Sequence, residues 1–207
     1  MKLRSVLATA AASLLFATQG FAASISYYID QSNALDDGIN YLQVTISDAG
    51  DDILFSIETL EPLSDIAGDN YGIQSFSFNF GDSGATLDNI EGPDGWRVSG
   101  DRNHSEYGRF EAHLAGTGST REDPLEFSIV GVSGDTVFDY VTLLSTGNAA
   151  GGNQLFAAHV AGFEGPDHIS SAQFGGNTVV PIPASAWLML SALGLLVIKF
   201  RARRLQW

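Results

Sequence analysis

"YLQVTISDAGDDILFSIE", residues 41–58, is the stretch that sets the fold class. Leu42, Val44 and Ile46 alternate with Gln43, Thr45 and Ser47, and after the polar break Asp48 to Asp52 the pattern resumes with Ile53, Phe55 and Ile57. A period of two places one set of side chains on one face of a strand and the other set on the opposite face. The Asp and Gly residues of the break supply the conformations that a reversing chain needs. The stretch therefore predicts two antiparallel strands joined by a hairpin loop.

The same alternation recurs along the chain. "YGIQSFSFNF" (71–80) carries Phe76, Phe78 and Phe80 on one face, but the apolar parity changes after Ile73, which predicts a bulge near Gln74. Further strands are expected at "GWRVS" (95–99), "GRFEAHLAG" (108–116), "LEFSIVGV" (125–132), "VFDYVTLL" (137–144) and "QLFAAHVAGF" (154–163). No window between the two chain ends repeats at 3.6 residues. Short strands separated by turns, in a chain with 23 glycines, predict an all-β body: a single β-sandwich or jelly-roll-like ectodomain. "GGNTVVPIPA" (175–184) reads as a short linker after it.

Charge is distributed unevenly. Residues 23–183 hold all 24 acidic residues and only Arg97, Arg102, Arg109 and Arg121 as cations, a formal charge of −20. A phosphate backbone needs a basic face, so nucleic acid is excluded as a partner. The body has no lysine, which removes Schiff-base chemistry and P-loop nucleotide binding. The chain has no cysteine, so the fold must hold without disulfides.

The two ends are of another kind. Lys2 and Arg4, an apolar run from Val6 to Ala17, and the small residues Gly20 and Ala22 around Phe21 make an export leader, with cleavage expected after Ala22. At the other end, Ala184 to Ile198 contains no charge and reads as a single transmembrane helix. At 1.5 Å per residue it covers roughly 22 Å of a hydrocarbon core about 30 Å thick, a marginal span. Lys199, Arg201, Arg203 and Arg204 follow it and would hold the tail on the cytoplasmic side. The organisation expected is a signal peptide at 1–22, a β-sandwich ectodomain at 23–176 and a C-terminal segment at 177–207.

Val180, Pro181, Ile182, Pro183 and Ala184, the short apolar helix and the terminal arginine cluster together resemble the PEP-CTERM sorting signal in its V-P-x-P-A form. The commonest form of that signal has glutamate between the prolines, where Ile182 stands here. "FAAHV" (156–160) is also similar to a strand near the end of other PEP-CTERM bodies. The resemblance implies export through the secretory translocon, removal of the leader by signal peptidase, and handling by exosortase, a membrane-embedded cysteine transpeptidase of Gram-negative bacteria that make extracellular polysaccharide. It implies a protein anchored in the inner membrane before processing and placed afterwards at the cell surface or in the extracellular matrix. Two prolines deny the motif backbone donors and keep it extended, which presents a peptide bond to an enzyme.

Catalytic patterns are sparse. "GDSG" (81–84) looks like a serine-protease nucleophile loop, but His104 follows the serine instead of preceding it. Ser83 with Asp101 and His104 is similar to a GDS-type esterase set at far too short a spacing, in a chain without the helices that such a fold needs. Acid pairs such as Asp36 with Asp37, Asp51 with Asp52, and Glu91 with Asp94 are what a glycosidase would need only if two of them flanked a cleft. Calcium is the metal such oxygens would suit, and Asp48, Asp51 and Asp52 are the candidate ligands. His104, His113, His159 and His168 lack zinc-site spacing, and His113 is expected to face solvent. Tyr27, Tyr28, Trp96, Tyr107 and Tyr140 could stack on sugars wherever they are exposed. The expectation is a non-catalytic, exosortase-processed surface or matrix protein that binds polysaccharide, with no cofactor beyond candidate calcium. The competing class is a secreted hydrolase of matrix polysaccharide or ester.

Overall fold

The computed structural model describes residues 23–164 and 168–180. Twelve strands run in chain order: β1 (Ser24–Ile29), β2 (Gln31–Ser32), β3 (Leu42–Ala49), β4 (Asp52–Thr59), β5 (Ala67–Phe78), β6 (Ile90–Glu91), β7 (Arg97–Asn103), β8 (Arg109–Ala115), β9 (Leu125–Ile129), β10 (Phe156–Phe163), β11 (Ser171–Gly176) and β12 (Thr178–Val179). They form two six-stranded antiparallel sheets, one ordered β12-β1-β3-β4-β9-β6 and the other β2-β11-β10-β5-β8-β7. The sheets pack face to face as an all-β sandwich.

The hairpin read from 41–58 is the spine of the first sheet. Val44 lies opposite Ile57 and Ile46 opposite Phe55, and all four are fully buried. Inward residues of the second sheet meet them. Phe55 stacks on Phe127 of β9 at 4.7 Å and 11°, touches Phe78 of β5 at 4.9 Å, and takes the edge of Tyr140 at 5.5 Å. Offset and edge-on ring pairs of this kind add about 0.5–1.5 kcal/mol each beyond the area they bury.

The bulge expected near Gln74 is present. Ser75 pairs with His159 and Ile73 with Val160, so Gln74 is the extra residue on β5. A second irregularity follows on β10 at Gly162, whose φ of 89° brings its backbone against the Asn70 carbonyl, where any side chain would overlap.

Two expectations are corrected. Residues 137–144 form no strand: Val137 and Tyr140 are buried three residues apart, and a 3-10 turn spans Asp139–Val141. The Asp139 carboxylate accepts from the Thr136 N–H at 2.7 Å and the Thr136 hydroxyl at 2.8 Å, which curls the chain where the apolar run alone suggests extension. Residues 175–180 are sheet and not linker. Gly175 and Gly176 end β11, and Thr178 and Val179 pair with Tyr28 and Tyr27. The glycines serve close packing: a Cβ on Gly176 would strike the Tyr28–Ile29 backbone, and one on Gly175 would strike the Tyr107 ring. Strands β1, β2, β6 and β11 are additions to the elements read from sequence.

The leader (1–22, with Gly20 and Ala22), the motif residues Pro181, Ile182, Pro183 and Ala184, the 184–198 segment, and Lys199, Arg201, Arg203 and Arg204 lie outside the described residues. Among the described residues no helix is long and apolar enough to cross a membrane.

Because Phe55 touches rings from both sheets, Phe55→Ala is expected to destabilise the body by about 3–5 kcal/mol. A fall in the urea midpoint at unchanged slope checks this, and a loss under about 1 kcal/mol would show that the seam does not hold the sheets together.

Candidate functional site

Both ends of the body are fastened to one edge of the first sheet. The Ala23 N–H donates to the Asp48 carboxylate at 3.0 Å, and the Val180 N–H donates to the Ser26 carbonyl at 2.9 Å. Pairing can go little further, since Pro181 and Pro183 have no N–H to offer. The last described backbone bond of the body thus falls on Val180, the first residue of the motif read from sequence.

The calcium candidates line an open cleft of about 550 Å³ between the β3–β4 loop and residues 131–136. Two of the three candidates, Asp48 and Asp52, already serve the protein, as does Asp135 opposite them. Asp48 holds the Ala23 N–H, Asp52 accepts from the Gly131 N–H at 3.3 Å, and Asp135 on the far wall accepts the Tyr140 hydroxyl at 2.5 Å. Among the described residues no three His, Cys, Asp or Glu side chains stand close enough to hold a metal ion.

Ser83, Asp101 and His104 have separate partners. The Ser83 hydroxyl accepts from the Ala85 N–H at 3.1 Å inside its own turn, and Asp101 is ion-paired to Arg109 at 2.6 Å. His104 belongs to a different cluster. Of the aromatic candidates, Tyr107 and Tyr140 are buried, while Trp96 packs on the core and donates its indole N–H to the Thr120 carbonyl at 2.7 Å.

That cluster is built on the outward face of the second sheet. Inward Phe76 and Phe78 force Ser77 outward, and inward Ala112 and Leu114 do the same to His113 across the ladder. The turn after β7, closed by the His104 N–H on the Gly108 carbonyl at 2.8 Å, brings His104 over the same hydroxyl. The Ser77 Oγ lies 2.8 Å from the Nδ1 of both His104 and His113. A hydroxyl has one proton, so at most one Nδ1 accepts from it and the other must donate to it. His113 is half-buried and held from beneath, which corrects the expectation that it simply faces solvent.

Cross-strand register extends the face into rows. Gly175, Ala157, Ser77, His113 and Ser99 follow one another across β11, β10, β5, β8 and β7. Tyr107 caps this row, resting on Gly175 and grouped with Phe110 and Ala157 in a small second core. Ser145 anchors the cap by donating its hydroxyl to the Tyr107 carbonyl at 2.5 Å. His104 is only 3% exposed, and its Nε2 has no hydrogen-bond partner, although the Gln173 side chain and the Ala158 carbonyl lie nearby.

Burial, reinforced by His113, pushes the His104 pKa down to about 3. Burial also lowers His113, with Arg102 adding to the shift, and His159, with Arg121 adding. Among the described residues no carboxylate orients either ring on Ser77, and that hydroxyl has no exposure, so the trio does not have the arrangement of a Ser-His-Asp triad. It is a neutral polar brace. Sequence spacing gave no hint of the 77/104/113 grouping; only the shared outward parity of Ser77 and His113 pointed toward it.

These histidines are neutral in the fold and protonatable in the unfolded chain. Their contribution to stability is complete above the ordinary histidine pKa of 6.5 and is lost progressively as pH falls below it, for His104 down to about 3. Each can contribute at most about 1.4 kcal/mol per pH unit. Urea unfolding at a series of pH values is expected to give a shallower acid loss for His104→Gln than for wild type. Parallel curves would mean that His104 titrates normally in the fold. Comparison of the chain with protein-family models, with curated proteins and with solved structures returns no match, so its functional reading rests on residues and geometry alone.

Proposed function

We propose that this is an exported, non-catalytic surface or matrix protein, handed to exosortase by the Val180–Ala184 motif, the apolar segment behind it and the terminal arginines. The observation that carries the reading is the composite end itself, set directly against the last paired residue of the body. Val180 is held on β1, so a sorting enzyme would meet an extended, proline-stiffened peptide leaving a rigid platform. The expected route runs from translocon and signal peptidase to a temporary hold in the inner membrane, then to cutting and release to the surface or matrix. The non-catalytic part is supported by the separate partners of Ser83, Asp101 and His104, and by acidic side chains engaged with the protein's own donors.

In a host with exosortase, the mature protein is expected to begin at Ala23 and to lack Trp187 and everything after it. Intact-mass measurement of the released protein checks both ends. Replacing Pro181 and Pro183 together by alanine lets helix extend backward over the scissile region and should leave uncut protein in the membrane fraction. A double variant processed as fast as wild type, or a released wild-type protein that still carries Trp207, would reduce this end to an ordinary membrane anchor.

A further inference from the structure

Cations on this body are few and gathered on one side. The strands of the first sheet carry no Arg, Lys or His, whereas Arg97 and Arg102 lie on β7 and Arg109 on β8 of the second. Arg109 is committed to Asp101, and Arg121 donates to the Gln74 side chain at 3.0 Å and to the Asn70 carbonyl. Arg97 and Arg102 remain. Both are exposed, and among the described residues neither has an ion-pair partner. With His113, Ser99, Thr117 and the exposed Val98 they line one groove of about 430 Å³ on the outward face of the β7–β8 edge.

We propose that this groove binds a carboxylate-bearing sugar unit of an acidic polysaccharide, the anion held by Arg97 and Arg102. The inference rests on the proposed surface or matrix placement. A guanidinium offers a planar fork of N–H donors that matches a carboxylate with two parallel hydrogen bonds. The Ser99 and Thr117 hydroxyls can exchange hydrogen bonds with sugar hydroxyls. His113 is prepositioned because Ser77 holds its Nδ1. Its lowered basicity keeps it from adding a third full charge, which suits a singly charged carboxylate better than a dianion such as phosphate.

The test uses the full-length chain in a nonionic detergent at low ionic strength and titrates it with tri-galacturonate, with its neutral methyl ester and with inorganic phosphate. Binding of tri-galacturonate is expected, with the ester weaker by about tenfold or more. Arg97→Ala combined with Arg102→Ala should weaken tri-galacturonate by a similar factor, whereas Arg109→Ala should not. Ser99→Asp, which keeps both arginines and sets a carboxylate between ligand and groove, should also weaken it. Both arginines are exposed, so the double variant is expected to melt with wild type. The proposal is overturned if wild type does not bind, if the ester binds equally well, if the double variant or Ser99→Asp binds like wild type, or if phosphate displaces the sugar at equal concentration. Its failure is separable from failure of the sorting reading: the processed mass reports only on the tail, and the titration only on the groove.

Discussion

Phe55 is the residue on which the two sheets agree. It sits at the centre of β4, flat against Phe127 on its own sheet, tilted against Phe78 across the sandwich, and met by the edge of Tyr140. A chain without cysteine, facing the charge of 24 acids, needs its core to supply nearly all of the cohesion. Aromatic rings are its largest members: Phe76, Phe78, Phe110, Phe156 and Phe174 are all at or near zero exposure. Large rings remove more apolar surface from water per ordered residue than aliphatic side chains, at low conformational cost.

The acids themselves are put to use as acceptors. Asp37 takes the Ser32 N–H, Asp48 that of Ala23, Asp52 that of Gly131, Asp123 that of Thr59, Glu111 that of Phe80 and Asp139 that of Thr136. Each of these loop or strand-end amides lacks a ladder partner, and a charged acceptor makes a stronger bond than a carbonyl would. Ion pairing contributes little by comparison. Arg109 with Asp101 is the only pair among the described residues, and it is exposed. Carboxylates spread over loops as individual latches do not gather in threes among the described residues.

Alternation made the hairpin of β3 and β4, the bulge at Gln74 and the strands β8, β9 and β10 legible in the sequence, because burial on one face writes itself as a period of two. It misled at 137–144, where a single side-chain acceptor at Asp139 outweighs the extended preference of Val and Phe. It misled again at Gly175 and Gly176, since glycine signals flexibility and close approach with the same letter. The Ser77 brace was unreadable for a different reason. Its members come from β5, β8 and a turn, and only the strand order, a long-range fact, brings them together. The groove at Arg97 and Arg102 was half legible: the scarcity of cations was plain, but not that two of the four would be spoken for.

The closing edge of the first sheet joins fold and address. An unprotected edge strand invites pairing with another chain, and here the edge is β12, two residues long and followed by Pro181 and Pro183. The prolines that would present a cleavable peptide are thus also residues with no N–H to continue a ladder beyond Val180. On the sorting reading this coincidence has a mechanical use: cutting anywhere beyond Val180 removes no hydrogen bond of the described body, so the sandwich released would be the same sandwich that was held.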